Sequence, residues 1–180
     1  MKCCVKEIMA DCFIIKETKS SNINDNLKNQ VYNFILDKIS LRFRIERKKI
    51  IIKRNRYGKP YLENFDNFYF NISYTYKAAI VIFSEVDVGI DIEYINNYKE
   101  NIVKRFFLNR EKLYVLNARD NCRKEIRFYE IWTKKEAYVK WCGKGFSIPI
   151  NSFSVLDVEL SKFFTTINIE AYIVSIFMKK

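Results

Sequence analysis

Three carboxylates and an ammonium stand out by type and spacing. Residues 88–93 read Val-Gly-Ile-Asp-Ile-Glu, with Val88, Ile90 and Ile92 alternating with Gly89, Asp91 and Glu93. That is the period of a strand with one apolar face, so Asp91 and Glu93 point the same way. Residues 132–140 read Trp-Thr-Lys-Lys-Glu-Ala-Tyr-Val-Lys. There Trp132, Glu136 and Lys140 recur every fourth residue and share one helix face. Were the three acids to converge to about 5 Å, each pair would repel by roughly 3 kcal/mol at an effective dielectric of about 20. One lysine does not offset three such terms. A hard divalent cation does, and an all-oxygen site with room for phosphate suits Mg²⁺, with Mn²⁺ as a substitute. Spacing shows only that each pair faces one way. Acids on one side of a strand are commonly half-solvated, and a Glu–Lys pair four apart on a helix is commonly an exposed pair of little consequence.

The elements that must position these residues are legible in outline. Residues 2–16 have an irregular strand or strand-pair pattern, and residues 18–26 are polar and turn-like. Leu27, Val31, Phe34, Ile35 and Ile39 then recur at helical spacing, the buried stripe of an amphipathic helix. A basic stretch over 42–49 leads to a short strand at 50–53. Asn55, Gly58 and Pro60 punctuate a turn over 55–60 that presents Lys59 on a loop. Alternation predicts strands over 68–73 and 78–84, and tight links to residues 88–93 suggest a three-stranded antiparallel meander with the acids on its last strand. Helical spacing over 99–107 precedes a short helix capped by Asn109 and running through Leu116. A longer helix spans about 123–141 and ends at Gly143. Strand alternation returns at 153–155, 164–169 and 172–177. No literal internal repeat is present.

At 180 residues and 49% hydrophobic content the chain can fill one core, or one core shared by two small halves. The five cysteines, 3, 4, 12, 122 and 142, form no Cys-x-x-Cys pair, and no histidine exists to complete a zinc site. A reducing cytoplasm suits them. No signal-like or membrane-spanning run is present, so a soluble, cytoplasmic protein is expected. The net charge of +11 sets up a positive field that attracts nucleic acid, anionic lipid, polyphosphates or an acidic protein. Aromatic content of 16% permits a nucleic-acid module, but no recognised RNA- or DNA-binding motif accompanies it.

Taken together, Gly89-Ile90-Asp91-Ile92-Glu93 and the segment from Trp132 to Lys140 resemble the paired signature of the phosphopantetheinyl transferases. Three further matches lie in order: Tyr57-Gly58-Lys59-Pro60; Phe70-Asn71-Ile72-Ser73; and Gly143-Lys144-Gly145 running into Phe146-Ser147-Ile148-Pro149. The resemblance covers residues 57–155, and its spacing is similar to the larger, surfactin-synthetase-activating type. It implies an α+β fold of two similar halves about a pseudo-twofold axis, here residues 1–86 and 87–180. The second half would carry the metal site, with a coenzyme A cleft between them.

The resemblance further implies transfer of 4′-phosphopantetheine from coenzyme A to a serine of an acidic acyl or peptidyl carrier protein, releasing adenosine 3′,5′-bisphosphate. Asp91, Glu93 and Glu136 would hold Mg²⁺. Asp91, Glu136 and Lys140 would be catalytic, with Glu136 the base and Lys140 on phosphate. Lys59, Asn71, Ser73, Tyr74 and Lys140 would contact coenzyme A. Two fused halves make a monomer sufficient, and neither nucleic acid nor membrane is an expected partner. The sequence departs from the family at Tyr74, where a histidine usually contacts coenzyme A phosphate; a phenol brings no positive charge at neutral pH. The basic N-terminal region is also shortened. These departures motivate an alternative, a degenerate member that binds coenzyme A or a carrier without turnover. A carboxylate at 136 beside Mg²⁺ and Lys140 is expected to ionise well below neutrality.

Overall fold

The computed structural model describes residues 2–5, 8–16 and 26–179. In chain order these form β1 (Lys2–Val5), β2 (Ile8–Lys16), α1 (Leu27–Phe43), β3 (Ile52–Arg54), β4 (Pro60–Leu62), β5 (Tyr69–Thr75), β6 (Ala78–Ser84) and β7 (Val88–Tyr94). They continue with α2 (Glu100–Phe106), α3 (Asn109–Leu116), α4 (Asn121–Cys142), α5 (Val158–Ser161), β8 (Phe164–Ile169) and β9 (Tyr172–Met178). The fold is α+β. One antiparallel sheet has the order β1-β2-β6-β5, a second β7-β9-β8, and β3 and β4 form a separate hairpin. The turn expected over 18–26 lies, up to residue 25, outside the described residues.

Strand β6 is an unbroken apolar run because both of its faces are covered. Ala79, Val81 and Phe83 pack on Val31, Ile35 and Ile39 of α1. Ala78, Ile80 and Ile82 pack on Val88, Ile90 and Ile92 of β7 and Val174 and Ile176 of β9. The layers therefore run helix, sheet, sheet, helix, with α4 on the outer face of the second sheet. A third cluster around Phe128 and Ile131 seats α4 on Ile173 and on Val103 of α2. Helix α1 starts where the Asn26 side chain accepts from Asn29 N–H at 3.0 Å, and α4 where Asp120 accepts from Arg123 N–H at 2.7 Å.

Four expectations shift. The meander does not form, because both edges of β6 are taken by β2 and β5. Strand β7 instead joins the second sheet, with Val88 opposite Met178 and Asp91 opposite Ser175. Residues 153–155 are not a strand: they follow a 3₁₀ turn at Ile150–Ser152, and Val155 N–H donates to Glu111. Helix α3 is capped from Leu108, whose N–H donates to Glu111 Oε2, one residue earlier than the asparagine. The short strand after the basic stretch is Ile52–Arg54 rather than 50–53.

Candidate functional site

The site begins where two sheet margins meet. Strands β5 and β7 lie side by side without sharing a backbone ladder; side chains of β5 bridge them instead. Asn71 Oδ1 accepts from Ile90 N–H at 3.2 Å, and Thr75 Oγ1 accepts from Tyr94 N–H at 3.0 Å. Both positions advance together, so the strands run parallel. This arrangement explains the polar residues on alternate positions of β5: Asn71 and Ser73 are buried but hydrogen-bonded.

Helix α4 closes against the other face of β7. Gly89 makes this possible: a Cβ there would lie 1.9 Å from Ala137 O and 2.5 Å from Trp141 N. No side chain fits between strand and helix at that point. Beneath the helix, Thr133 Oγ1 donates to Tyr129 O and lies 2.7 Å from Ser175 Oγ. Glu136 and Lys140, one turn apart, are thereby held over Asp91.

Lys140 Nζ donates to Asp91 Oδ1 at 2.7 Å and to Ser73 Oγ at 2.7 Å, while Ser73 Oγ donates to Asp91 Oδ1 at 2.7 Å. Asp91 is 4% exposed. Its second oxygen, Oδ2, is buried and has no hydrogen-bond partner among the described residues. A buried anionic oxygen left bare is costly, and this one sits beside two more carboxylates. Burial, then Asp91, push the Glu93 carboxyl up to about 7, against opposing bonds from Trp132 and Thr75 and the charge of Lys140. Burial and then Asp91 also raise Glu136, outweighing Lys140. The low pKa is expected of Glu136 beside both Mg²⁺ and Lys140; in the protein alone, desolvation exceeds the attraction of one ammonium.

Each outer acid senses Asp91, which is the arrangement a hard cation stabilises, and the bare Oδ2 is an oxygen donor of the right kind. As the side chains stand, no three Asp, Glu or Cys residues among the described ones close around a single point.

A cavity of about 310 Å³ opens beside this group. Lys59, Asn71, Tyr74, Glu136 and Lys140 line it, together with Arg54 and Gly143. Ser73 and Asp91 reach the cavity through their bonds to Lys140. Glu93 does not line it and faces a different depression with Thr75 and Tyr129. Lys59 is not the free loop lysine its turn suggests. Its Nζ is 2.5 Å from Asp87 Oδ1 and donates to Trp141 O at 3.0 Å. The turn is fixed by Asn55, whose Oδ1 accepts from Tyr57 and Lys59 N–H and whose Nδ2 donates to Gly143 O. Gly143 ends α4 at φ 62°, with Lys59 Cδ 2.9 Å from where its Cβ would be. Asp87, Thr75 and Arg54 were not singled out in the sequence, and Asn55 was read only as turn punctuation. Continuing the polar alternation of Asn71 and Ser73 by two residues would have found Thr75.

A family model described as the 4′-phosphopantetheinyl transferase superfamily matches residues 87–178. The chain is 35% identical over 133 residues to the 4′-phosphopantetheinyl transferase gsp of Aneurinibacillus migulanus, covering 73% of this chain and 55% of that protein. It is 36% identical over 117 residues to the 4′-phosphopantetheinyl transferase Sfp of Bacillus subtilis, covering 65% of this chain and 52% of that protein. A more distant match, 26% identical over 135 residues, is the L-aminoadipate-semialdehyde dehydrogenase-phosphopantetheinyl transferase of Candida glabrata, covering 71% of this chain and 51% of that protein. The chain spans about half the length of these curated relatives. No helix among the described residues is long and apolar enough to cross a membrane.

Proposed function

The chain belongs to the 4′-phosphopantetheinyl transferase superfamily, and from that premise we propose that it transfers the 4′-phosphopantetheine arm of coenzyme A to a serine of an apo carrier protein. The observation that carries this reading is that one cavity is lined by Lys59, Asn71, Tyr74, Glu136 and Lys140, with Lys140 bonded to Asp91 and Ser73 at its margin. Its walls come from both sides of residues 86 and 87, which supports a coenzyme A cleft between two related halves, 1–86 and 87–180.

The serine oxygen attacks the phosphorus that bears the pantetheine arm, the bond to the bridging pyrophosphate oxygen breaks, and adenosine 3′,5′-bisphosphate leaves. Lys140 holds a phosphate oxygen, oriented by Asp91 and Ser73. Glu136 takes the serine proton directly or through water; its burial makes it a stronger base than a solvated carboxylate. Mg²⁺, held by Asp91, Glu93 and Glu136, would supply positive charge to the pyrophosphate oxygens when bound. Positioning and electrostatics of this kind are what phosphoryl transfer asks of a protein. The net charge of +11 fits a carrier whose recognition surface is acidic. A monomer working in the cytoplasm completes the reading.

Mass spectrometry of an apo carrier incubated with coenzyme A, Mg²⁺ and this protein tests it: the carrier gains one phosphopantetheine. Tyr74, which brings no charge to the cavity wall, favours a second reading in which the chain binds coenzyme A without turnover. Binding with an unmodified carrier selects that one, and neither binding nor mass gain rejects both.

A further inference from the structure

Away from the cleft, the two sheets part along a second margin. Strand β8 ends its sheet, and β1 pairs with β2 only from Ile8 to Asp11. Residues 12–16 of β2 therefore have β6 on one side and, among the described residues, no strand on the other. Between these two bare edges lies a groove of about 370 Å³, a size found among small-molecule sites, which run to about 300–1,000 Å³. Ile80 and Val174, on the inner strands β6 and β9, form its base. Ile167 and Ile169, two apart on β8 and so on one face, form one wall. Phe13 and Phe34 form the other, their ring centroids 5.1 Å apart. The groove bends round β2, because Ile14 faces the second sheet while Phe13 faces α1. No charged side chain lines it.

A charge does stand beside it. Lys38, one helical turn from Phe34, holds its Nζ 4.5 Å from the Phe13 centroid and 5.3 Å from that of Phe34. No carboxylate among the described residues pairs with this ammonium, and the neighbouring Asp37 is taken by Arg47. Lys16 offers a contrast: beyond Ile169 it meets Glu170 at 2.7 Å and joins the two edges. An apolar trough with an unmatched ammonium at its wall suits an amphiphile with an anionic head, since the tail leaves water and the head finds a counter-charge. The groove shares no lining residue with the cavity beside Lys140.

We propose that this groove binds a fatty acid, its alkyl chain between β2 and β8 and its carboxylate on Lys38. One chain fills a volume of this size. The site is independent of the coenzyme A reading above.

Calorimetric titration of the full chain with decanoate, below its micelle concentration, and with decyltrimethylammonium as the counterpart of opposite charge tests this. The wild type should bind decanoate, and the cation at least about tenfold more weakly, because it meets a like charge in place of an ion pair. Lys38→Gln should weaken decanoate about fivefold, the scale of a partly exposed ion pair, and Lys38→Glu should reverse the preference between the two ligands. Ile167→Trp, which fills the groove without adding charge, should weaken both at least about tenfold by displacing the tail; should that variant not fold, the Lys38 pair still decides. Lys104→Gln, a change at an exposed lysine elsewhere, should alter either affinity less than about twofold. A wild type that does not bind decanoate, or a Lys38→Glu variant that binds it as well as the wild type, overturns the proposal. So does an affinity that falls in Lys140→Gln and not in Lys38→Gln, which places the tail in the other cavity. A dimer seen by sedimentation and dissolved by Ile167→Trp gives the groove to a second copy and overturns it as well.

Discussion

Helix α4 carries two lysine–carboxylate pairs five residues apart, and they are built for opposite ends. Lys135 meets Glu111 at 2.9 Å with both side chains 0% exposed. Lys135 also donates to Ile150 O and Phe153 O, and Glu111 accepts from Leu108 and Val155 N–H. Every strong partner is protein, so the pair ties α3 and residues 150–155 to the helix. Burial lowers the Lys135 pKa, with Glu111 opposing. Lys140 meets Asp91 at 2.7 Å, but the lysine is 27% exposed and one oxygen of the acid has no hydrogen-bond partner among the described residues. The first pair is closed and the second is open. The contrast teaches that ion-pair geometry alone does not mark a site; the unfilled hydrogen-bonding capacity beside it does.

The sharpest way to break the comparison is to open the closed pair. Glu111→Ala strands a buried ammonium and should cost about 3–5 kcal/mol in urea unfolding, while an apolar double replacement of Glu111 and Lys135 should recover most of that. A loss as small as that of a surface variant would mean the two pairs are not different in kind. Next comes the open pair: Asp91→Ala should lower turnover by at least about 10²-fold, the scale of losing a main electrostatic stabiliser, yet leave the melting temperature near the wild-type value. Loss of stability with retained turnover would reverse the roles assigned here.

A smaller effect concerns Tyr114, on the closed side, which donates to Glu130 Oε2 at 2.7 Å. Burial and then Glu130 push its pKa from 10.0 up to about 12. The folded state therefore holds the phenolic proton longer than the unfolded chain, and its contribution is full below pH 10.0 and lost as pH rises towards about 12. Tyr114→Phe should flatten the alkaline fall in stability over that window; identical profiles would remove the contact from the account. At the bottom of the scale, Lys104→Ala, which removes an exposed partner of Glu100 at 2.7 Å, should leave unfolding unchanged within error.

Much of the open pair was legible in the sequence, because local periodicity fixes which way a side chain faces. Alternation placed Asp91 on one face of its strand, and four-residue spacing placed Glu136 with Lys140. What periodicity does not carry is pairing between distant segments. Strand β7 finds its partner at β9, with Glu93 opposite Ile173, whereas short links alone pointed to β6. The direction of Glu93 into a different depression from Glu136 follows from that packing and from sheet twist. The closed pair was invisible for a related reason: Lys135 sits in a lysine-rich run that reads as solvated, and only the approach of α3 and of residues 150–153 buries it. Asp87 lies in the short link before the acidic strand, where nothing local shows that it supplies the counter-charge to Lys59.

The margin between β5 and β7 has a mechanical consequence. Within each sheet, sliding one strand past another would break a continuous backbone ladder. Along this margin the connection consists of the Asn71 and Thr75 acceptors and the bonds of Ser73, so its stiffness is set by side-chain torsions. That margin is therefore softer to sliding than the ladder that ties β5 to β6. The acids opposite are clamped to α4 by the bare backbone of Gly89. A load applied along the strands would be taken up first at that margin, as at the seam between two stiff plates.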